Sequence, residues 1–285
     1  MSVPLLDLKP QHNALDSELK EAFARILESG QYVLGPENEA FEEALAAFTG
    51  ARYALGVSSG TDALLLALMT LGIGPGDEVI CPTFTFFATA GSIARTGARP
   101  VFADSGPHSW NLDVADVERR ITPRTKAIIP VHLFGEMANM EALRELAKVH
   151  DLAVIEDAAQ ALGADSEIGQ AGTIGDFGAF SFFPSKNLGC LGDGGLLITS
   201  DKELAERARI LRVHGMEPKY FHPYIGGNFR LDPLQAAILR VKLPHYSDYT
   251  EKRRANAEFY LERLSQLPGV FEDVATAPEE NAIIL

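Results

Sequence analysis

Tyr53-Ala-Leu-Gly-Val-Ser-Ser-Gly-Thr-Asp-Ala-Leu-Leu-Leu-Ala-Leu-Met-Thr-Leu71 is the stretch that decides the fold. Tyr53 to Val57 reads as a short strand and Asp62 to Leu71 as an apolar helix, with two serines and a glycine at the crossing. The same alternation extends outward in both directions. Upstream, Leu15, Leu19, Phe23, Ile26 and Leu27 form a helical stripe between Asn13 and Glu28, and Phe41, Leu45 and Phe48 form another between Glu37 and Phe48. Downstream, strands are expected over 78–81, 99–103, 125–131, 153–156, 177–182 and 194–199. Between and after them, helices are expected over 85–96, 114–121, 140–150, 202–211 and 233–239. Such β-α alternation predicts an α/β fold, a mostly parallel central sheet with helices on both faces. Ligands of such sheets bind outside the carboxyl ends of the strands. After Pro244 the pattern becomes one long polar helix, Tyr249 to Leu264, and Pro268 to Leu285 has no clear period.

Composition narrows the function. The 285 residues carry a formal charge of −14, which argues against a general attraction to nucleic acid or anionic lipid. No run approaches the ~20 apolar residues that cross a bilayer, and Met1 to Asp7 does not have the form of a signal peptide. Cys81 and Cys190 show neither metal spacing nor a disulfide framework, so they are expected to be buried free thiols in a cytoplasmic protein without a bound metal.

The chemistry-bearing motifs fall at strand ends. Gly178-Ala-Phe-Ser-Phe-Phe-Pro-Ser-Lys186 ends in a lysine just beyond an aromatic run. A lysine in apolar surroundings can lose its proton and form an imine with an aldehyde. The other eight lysines read as solvated charges on helix faces or loops, or at the start of a strand in the case of Lys126. Val154-Ile-Glu-Asp157 sets a carboxylate at another strand end, where it could hold the protonated ring nitrogen of a pyridine aldehyde. At 4 Å that pair is worth roughly 4 kcal/mol with an effective dielectric of 20. The plainer reading of Asp157 is a cap on the following turn. Glu156 points to the opposite face.

Ser58-Ser-Gly-Thr61 opens a helix, and its free N–H groups and positive dipole end suit a phosphate; a simple serine N-cap is the plainer account. Pro82 to Ala88 carries three phenylalanines, two or three of them expected in the core, with Phe86 the candidate to stack on a cofactor ring. Gly226 to Gln235 reads as a glycine turn before a helix, with Asp232 as N-cap and Pro233 in the first turn, which leaves Asn228 and Arg230 unexplained.

In order, Ser59-Gly-Thr-Asp-Ala63, Pro82 to Ala88, Glu156-Asp-Ala-Ala-Gln160, Ser181-Phe-Phe-Pro-Ser-Lys186 and Gly226 to Gln235 resemble the motifs of the DegT/DnrJ/EryC1/StrS family of sugar aminotransferases. The resemblance covers the chain to about Leu264 and implies the fold-type I architecture. It also implies a large pyridoxal-phosphate-binding domain over 1–245, helices 13–48 included, and the start of a small carboxyl-terminal domain, apparently truncated, over 246–285. By position, Lys186 corresponds to the Schiff-base lysine, Asp157 to the partner of the ring nitrogen and Gln160 to the contact of the ring hydroxyl. Gly60, Thr61 and Ser181 correspond to phosphate ligands and Phe86 to the stacking ring. Asn228 corresponds to a phosphate ligand given to the neighbouring subunit, which implies a homodimer with shared sites. His214, Lys219, Tyr220 and Arg230 lie in segments that border the sugar nucleotide in relatives. The implied activity is amino transfer from L-glutamate to a nucleotide-linked keto-deoxy sugar, with cell-surface polysaccharide biosynthesis as an expected setting. The rival reading is a non-catalytic pyridoxal-phosphate-binding regulator, or an inactive fragment of such an enzyme.

Overall fold

The computed structural model describes residues 4, 6–107 and 109–266; residues 267–285, within the expected small-domain segment, lie outside the described residues. Strands β1 (Tyr53–Val57), β2 (Glu78–Pro82), β3 (Arg99–Ala103), β4 (Thr125–Ile128), β5 (Ala153–Asp157), β8 (Phe177–Ser181) and β9 (Gly195–Thr199) form one sheet in the order β1-β9-β8-β5-β4-β2-β3. A two-stranded ribbon, β6 (Asp165–Ser166) and β7 (Gly169–Gln170), stands apart. Pairing is parallel from β8 through β5, β4 and β2 to β3, and β9 runs antiparallel to both of its neighbours. The mostly parallel sheet is therefore present, with one reversed strand, and the carboxyl ends of β2, β4, β5 and β8 share an edge.

Ten α-helices occur among the described residues: α1 (Lys9–Ala14), α2 (Asp16–Ser29), α3 (Pro36–Thr49), α4 (Gly60–Thr70), α5 (Ala88–Arg95), α6 (Val114–Arg120), α7 (Met140–His150), α8 (Lys202–Arg212), α9 (Pro233–Lys242) and α10 (Tyr246–Leu264). Strand alternation distributes them over two faces. On β8, Phe177 and Ala179 join the core beneath α4 and α8, whereas Phe180 packs with Phe41 and Leu45 of α3 and Leu239 of α9. Beneath α6 and α7, Ile80, Ile128 and Val154 meet Val117 and Leu143. Helix α4 is buried almost all round, which is why Leu64 to Leu68 are continuously apolar rather than striped.

Boundaries differ from the sequence reading where caps and side-chain placement intervene. The helix expected from Asp62 begins at Gly60, because Ser59 is its N-cap and accepts from Asp62 N at 3.0 Å. Asn13 to Glu28 is interrupted at Leu15. The segment expected to be helical from Thr85 starts at Ala88, since Phe84, Phe86 and Phe87 belong to an exposed loop. Strand β4 ends at Ile128, although Val131 still bridges to Asp157. Helix α10 starts three residues early because Tyr246 is anchored. Its ring lies edge-on to Phe48 at 5.4 Å and its hydroxyl donates to the Leu162 carbonyl. Among the described residues no helix is long and apolar enough to cross a membrane.

Candidate active site

The parallel topology delivers a carboxylate, a lysine and a helix amino terminus to one cavity of about 510 Å³. Asp157 closes β5, and Ser181 closes the adjacent β8; Lys186 follows in the turn where its own N–H donates to Phe183 O at 2.8 Å. Gly60 and Thr61 reach the cavity from the first turn of α4, Phe86 from the loop before α5 and Gln160 from the turn after β5. These seven residues, far apart in sequence, line one space.

Asp157 is buried, and among the described residues it has no cationic side chain in ion-pair contact. Its Oδ2 accepts from Thr89 Oγ1 at 2.8 Å and its Oδ1 from Ala159 N at 3.3 Å, so the turn-cap reading and the site reading describe the same residue. Burial pushes its carboxyl above the usual range, while these hydrogen bonds and the nearby Lys186 pull it back. Burial likewise lowers Lys186, opposed by Asp157. Behind Asp157, the buried Cys81 thiol is pushed up to about 12 by desolvation and by that carboxylate.

Glu156 is also fully buried, but it serves the opposite face. Its oxygens accept from the N–H groups of Gly172 at 2.8 Å, Ile174 at 2.7 Å and Gly175 at 2.6 Å. His132 Nε2 lies 2.8 Å from the same carboxylate, and Ala138 N donates to His132 Nδ1 at 3.1 Å. The Ala138 bond places the imidazole proton on Nε2, so His132 is a neutral donor to Glu156.

Several details suit an anionic ligand with a planar ring. At Gly60 a Cβ would lie 2.8 Å from the Ser181 Cβ, so only glycine brings that helix turn against the end of β8. The first N–H groups of α4 have no partners within the helix and face the cavity end of the dipole. Gln160 Oε1 accepts from Phe134 N at 2.8 Å, and its amide nitrogen has no partner among the described residues. The same bond holds Phe134 in the left-handed region, at φ 57°.

Some expectations need correction. Phe84, Phe86 and Phe87 are not core residues: Phe86 is 74% exposed and Phe87 80%, because their loop runs along the cavity mouth instead of turning under the sheet. Lys242 is no solvated lysine either; at 1% exposure its Nζ donates to Gly189 O at 2.7 Å and lies 3.1 Å from His12 Nε2. Asp232 precedes α9 without a side-chain cap bond. Outside the lining of this chain's own cavity lie Asn228, which the resemblance gives to a neighbouring subunit's site, and His214, Lys219, Tyr220 and Arg230. His214, Lys219, Tyr220 and Asn228 belong to an arm closed by the Val213–Asn228 bridge and by His214 N donating to Gly227 O at 2.8 Å, with Tyr220 at its tip 81% exposed, whereas Arg230 follows the arm and bridges to Val57 of β1. Sequence reasoning missed Thr85, Val131, Leu133 and Asp193 on the cavity wall, and Thr89 and His132 behind it. Asp193 had a usable signal, its place in the glycine-rich turn after Lys186. Thr89 had only its position four residues after Thr85 in the phenylalanine-rich segment.

The model of the DegT/DnrJ/EryC1/StrS aminotransferase family matches residues 13–284. A Geobacillus stearothermophilus protein named pleiotropic regulatory protein is 50% identical over 280 residues, covering 98% of this chain and 74% of its own. The dTDP-3-amino-3,4,6-trideoxy-alpha-D-glucose transaminase of Streptomyces venezuelae is 50% identical over 281 residues, covering 99% of this chain and 74% of its own. The crystal structure of NtdA from Bacillus subtilis with its cofactor PMP bound superposes with a TM-score of 0.89 at 33% identity, covering 100% of this chain and 66% of that one.

Proposed function

The chain belongs to the DegT/DnrJ/EryC1/StrS aminotransferase family, and from that premise we propose that it uses pyridoxal 5′-phosphate in the cavity at the end of β5 to move an amino group from L-glutamate to a nucleotide-linked keto-deoxy sugar. The observation that carries this reading is the buried, cation-free carboxylate of Asp157 in the same cavity as Lys186 and the amino terminus of α4. A buried carboxylate without a positive partner is costly, and a protonated ring nitrogen would supply that partner. The sugar-nucleotide acceptor is supported by the activity named for the Streptomyces venezuelae relative.

When bound, the cofactor supplies an aldehyde that exchanges amines and a ring that accepts the electron pair left by a broken C–H bond. The N–H groups of Gly60 and Thr61, with the hydroxyls of Thr61 and Ser181, bind its phosphate. Phe86 covers one ring face, and the Gln160 amide nitrogen donates to the ring hydroxyl. Asp157 keeps the ring nitrogen charged. Lys186 has no hydrogen-bond partner for its Nζ among the described residues. With its ammonium disfavoured by burial, its Nζ can take up the proton released at the donor's α-carbon and return it in the next step.

The arm that carries His214, Lys219, Tyr220 and Asn228, with Arg230 just after it, reaches the cavity of a second copy in this reading, so the unit is a homodimer. Its exposed Tyr220, Phe221 and Ile225 suit burial against that copy. In this reading the described residues up to 245 belong to the cofactor domain, and α10 belongs to the small domain.

The test is absorbance with pyridoxal phosphate followed by a mass-spectrometric screen of dTDP-, UDP- and GDP-linked keto sugars with glutamate. Wild type should show a lysine imine band that Lys186→Ala loses, and should aminate at least one sugar. An imine band that survives in Lys186→Ala would refute the lysine assignment. A glutamate half-reaction without any aminated sugar would refute the acceptor.

A further inference from the structure

We propose that Thr89 is a positioning residue for this reaction, whose hydroxyl, itself oriented by Thr85, aims the Asp157 carboxylate at the cofactor's ring nitrogen. The inference rests on the cofactor assignment above and adds the groups that make Asp157 fit for it.

The direction of the hydrogen bonds follows from proton counting. Thr89 lies fully buried in the first turn of α5, and its Oγ1 is 2.8 Å from Asp157 Oδ2. A carboxylate only accepts, so the single hydroxyl proton of Thr89 is spent there. At the 2.9 Å contact between Thr85 Oγ1 and Thr89 Oγ1, Thr85 must therefore be the donor. The chain runs one way, from Thr85 on the cavity wall, through Thr89, to the carboxylate.

Both oxygens of Asp157 are thus held by neutral donors, Thr89 on one and the Ala159 N–H on the other. Neutral donors stabilise the anion without cancelling its charge, and that charge remains for a cationic ligand. The neighbouring titratable groups do not compete for this role. His132 is committed to Glu156 and Ala138 through its two nitrogens. The Cys81 thiol stays protonated. Lys186 faces the cavity. Thr85 also adjoins Phe86, so the loop that carries the proposed stacking ring also carries the outer end of the chain that sets the carboxylate.

The experiment compares the wild-type holoenzyme with Thr89→Val, Thr89→Ser, Thr85→Val and Asp157→Asn. Two quantities are read: the pyridoxal phosphate dissociation constant by equilibrium dialysis, and the single-turnover rate of its conversion by glutamate across pH. Valine keeps the volume of Thr89 and deletes the hydroxyl. Loss of one hydrogen bond to a charged group should raise the dissociation constant about tenfold or more and slow the half-reaction by a similar factor. Thr89→Ser should stay within about threefold of wild type, and Thr85→Val should fall between the two. Wild-type values in Thr89→Val, or equal damage in Thr89→Val and Thr89→Ser, would overturn the proposal. Should Thr89→Val not fold, Thr85→Val on the cavity wall decides, and unchanged values there overturn it. If Asp157→Asn loses the cofactor while both valine variants keep it, only this inference fails; if wild type binds no pyridoxal phosphate, the site reading fails with it.

Discussion

Glu156→Gln should weaken the fold while Asp157→Asn should weaken cofactor binding, although the two residues are neighbours on β5. In the first substitution the side chain keeps its shape, but one oxygen becomes an amide nitrogen. The oxygen that remains can still accept from Ile174 and Gly175, at 2.7 and 2.6 Å in the native protein. The new NH₂ group then faces the N–H groups of Gly172 and His132, two donors against a donor. His132 cannot relieve this by changing tautomer, because Nδ1 is needed to accept from Ala138. Two charge-assisted hydrogen bonds at about 1.5–3 kcal/mol each make the expected loss about 3–6 kcal/mol. That is a large share of the ~5–15 kcal/mol by which domains are stable. Urea unfolding of the apoprotein followed by circular dichroism reads the loss as a lower midpoint at an unchanged slope. For Asp157→Asn the same assay should show no loss, since an unpaired buried carboxylate has been removed, while pyridoxal phosphate affinity drops at least about tenfold. A change below about 1 kcal/mol in Glu156→Gln would refute the assignment of Glu156 to the scaffold.

Lys186→Met should stabilise the apoprotein at pH 7. Burial lowers the folded pKa of Lys186 below the ordinary lysine value of 10.5, so the unfolded chain binds the extra proton between the two values and wild-type stability rises with pH across that window. The advantage of Lys186→Met should therefore vanish above pH 10.5, as read from melting temperatures. Gly60→Ala places a Cβ 2.8 Å from that of Ser181 and should weaken pyridoxal phosphate binding about tenfold in dialysis, through displacement of the first turn of α4. Cys81 and Cys190 are buried, and desolvation pushes their thiols up to about 12 and about 11. Neither should react with an aromatic disulfide reagent at pH 8 until the protein is unfolded, as measured by thiol release.

Much of the architecture was legible because periodicity reports on burial. The continuous apolar run of Leu64 to Leu68 and the short strands announced a sheet covered on both faces, and those elements lie within a few residues of where they were expected. The reversal of β9 was not legible, since an antiparallel pair and a parallel one bury the same residues. Alternation also told Glu156 from Asp157 correctly, but it could not reveal what Glu156 is for. Its donors, Gly172, Ile174 and Gly175, are backbone N–H groups brought up by a turn that has no side-chain signature. Phe84 and Phe87 misled because composition reads an aromatic cluster as core, whereas a loop beside a cavity uses the same residue type.

Lysine shows the limit most clearly. Lys186 was singled out as a lysine drawn into apolar company, yet Lys242 is the more buried of the two. It sits in the last turn of α9, where the negative end of the helix dipole favours a cation, and that position also reads as an ordinary solvated end. Desolvation lowers both lysines, so burial alone does not separate them. Their partners do. Lys242 has acceptors already in place, the Gly189 carbonyl and His12, and it ties α9 and α1 to the turn that follows Lys186. Lys186 shares a cavity with a carboxylate that has no ion-pair partner, and its Nζ is hydrogen-bonded to nothing among the described residues. A lysine whose hydrogen-bonding capacity is met inside the fold is a structural staple. One left unmet inside a cavity, beside a charge that also waits for a partner, has the means to hold a ligand, and that difference separates Lys186 from Lys242.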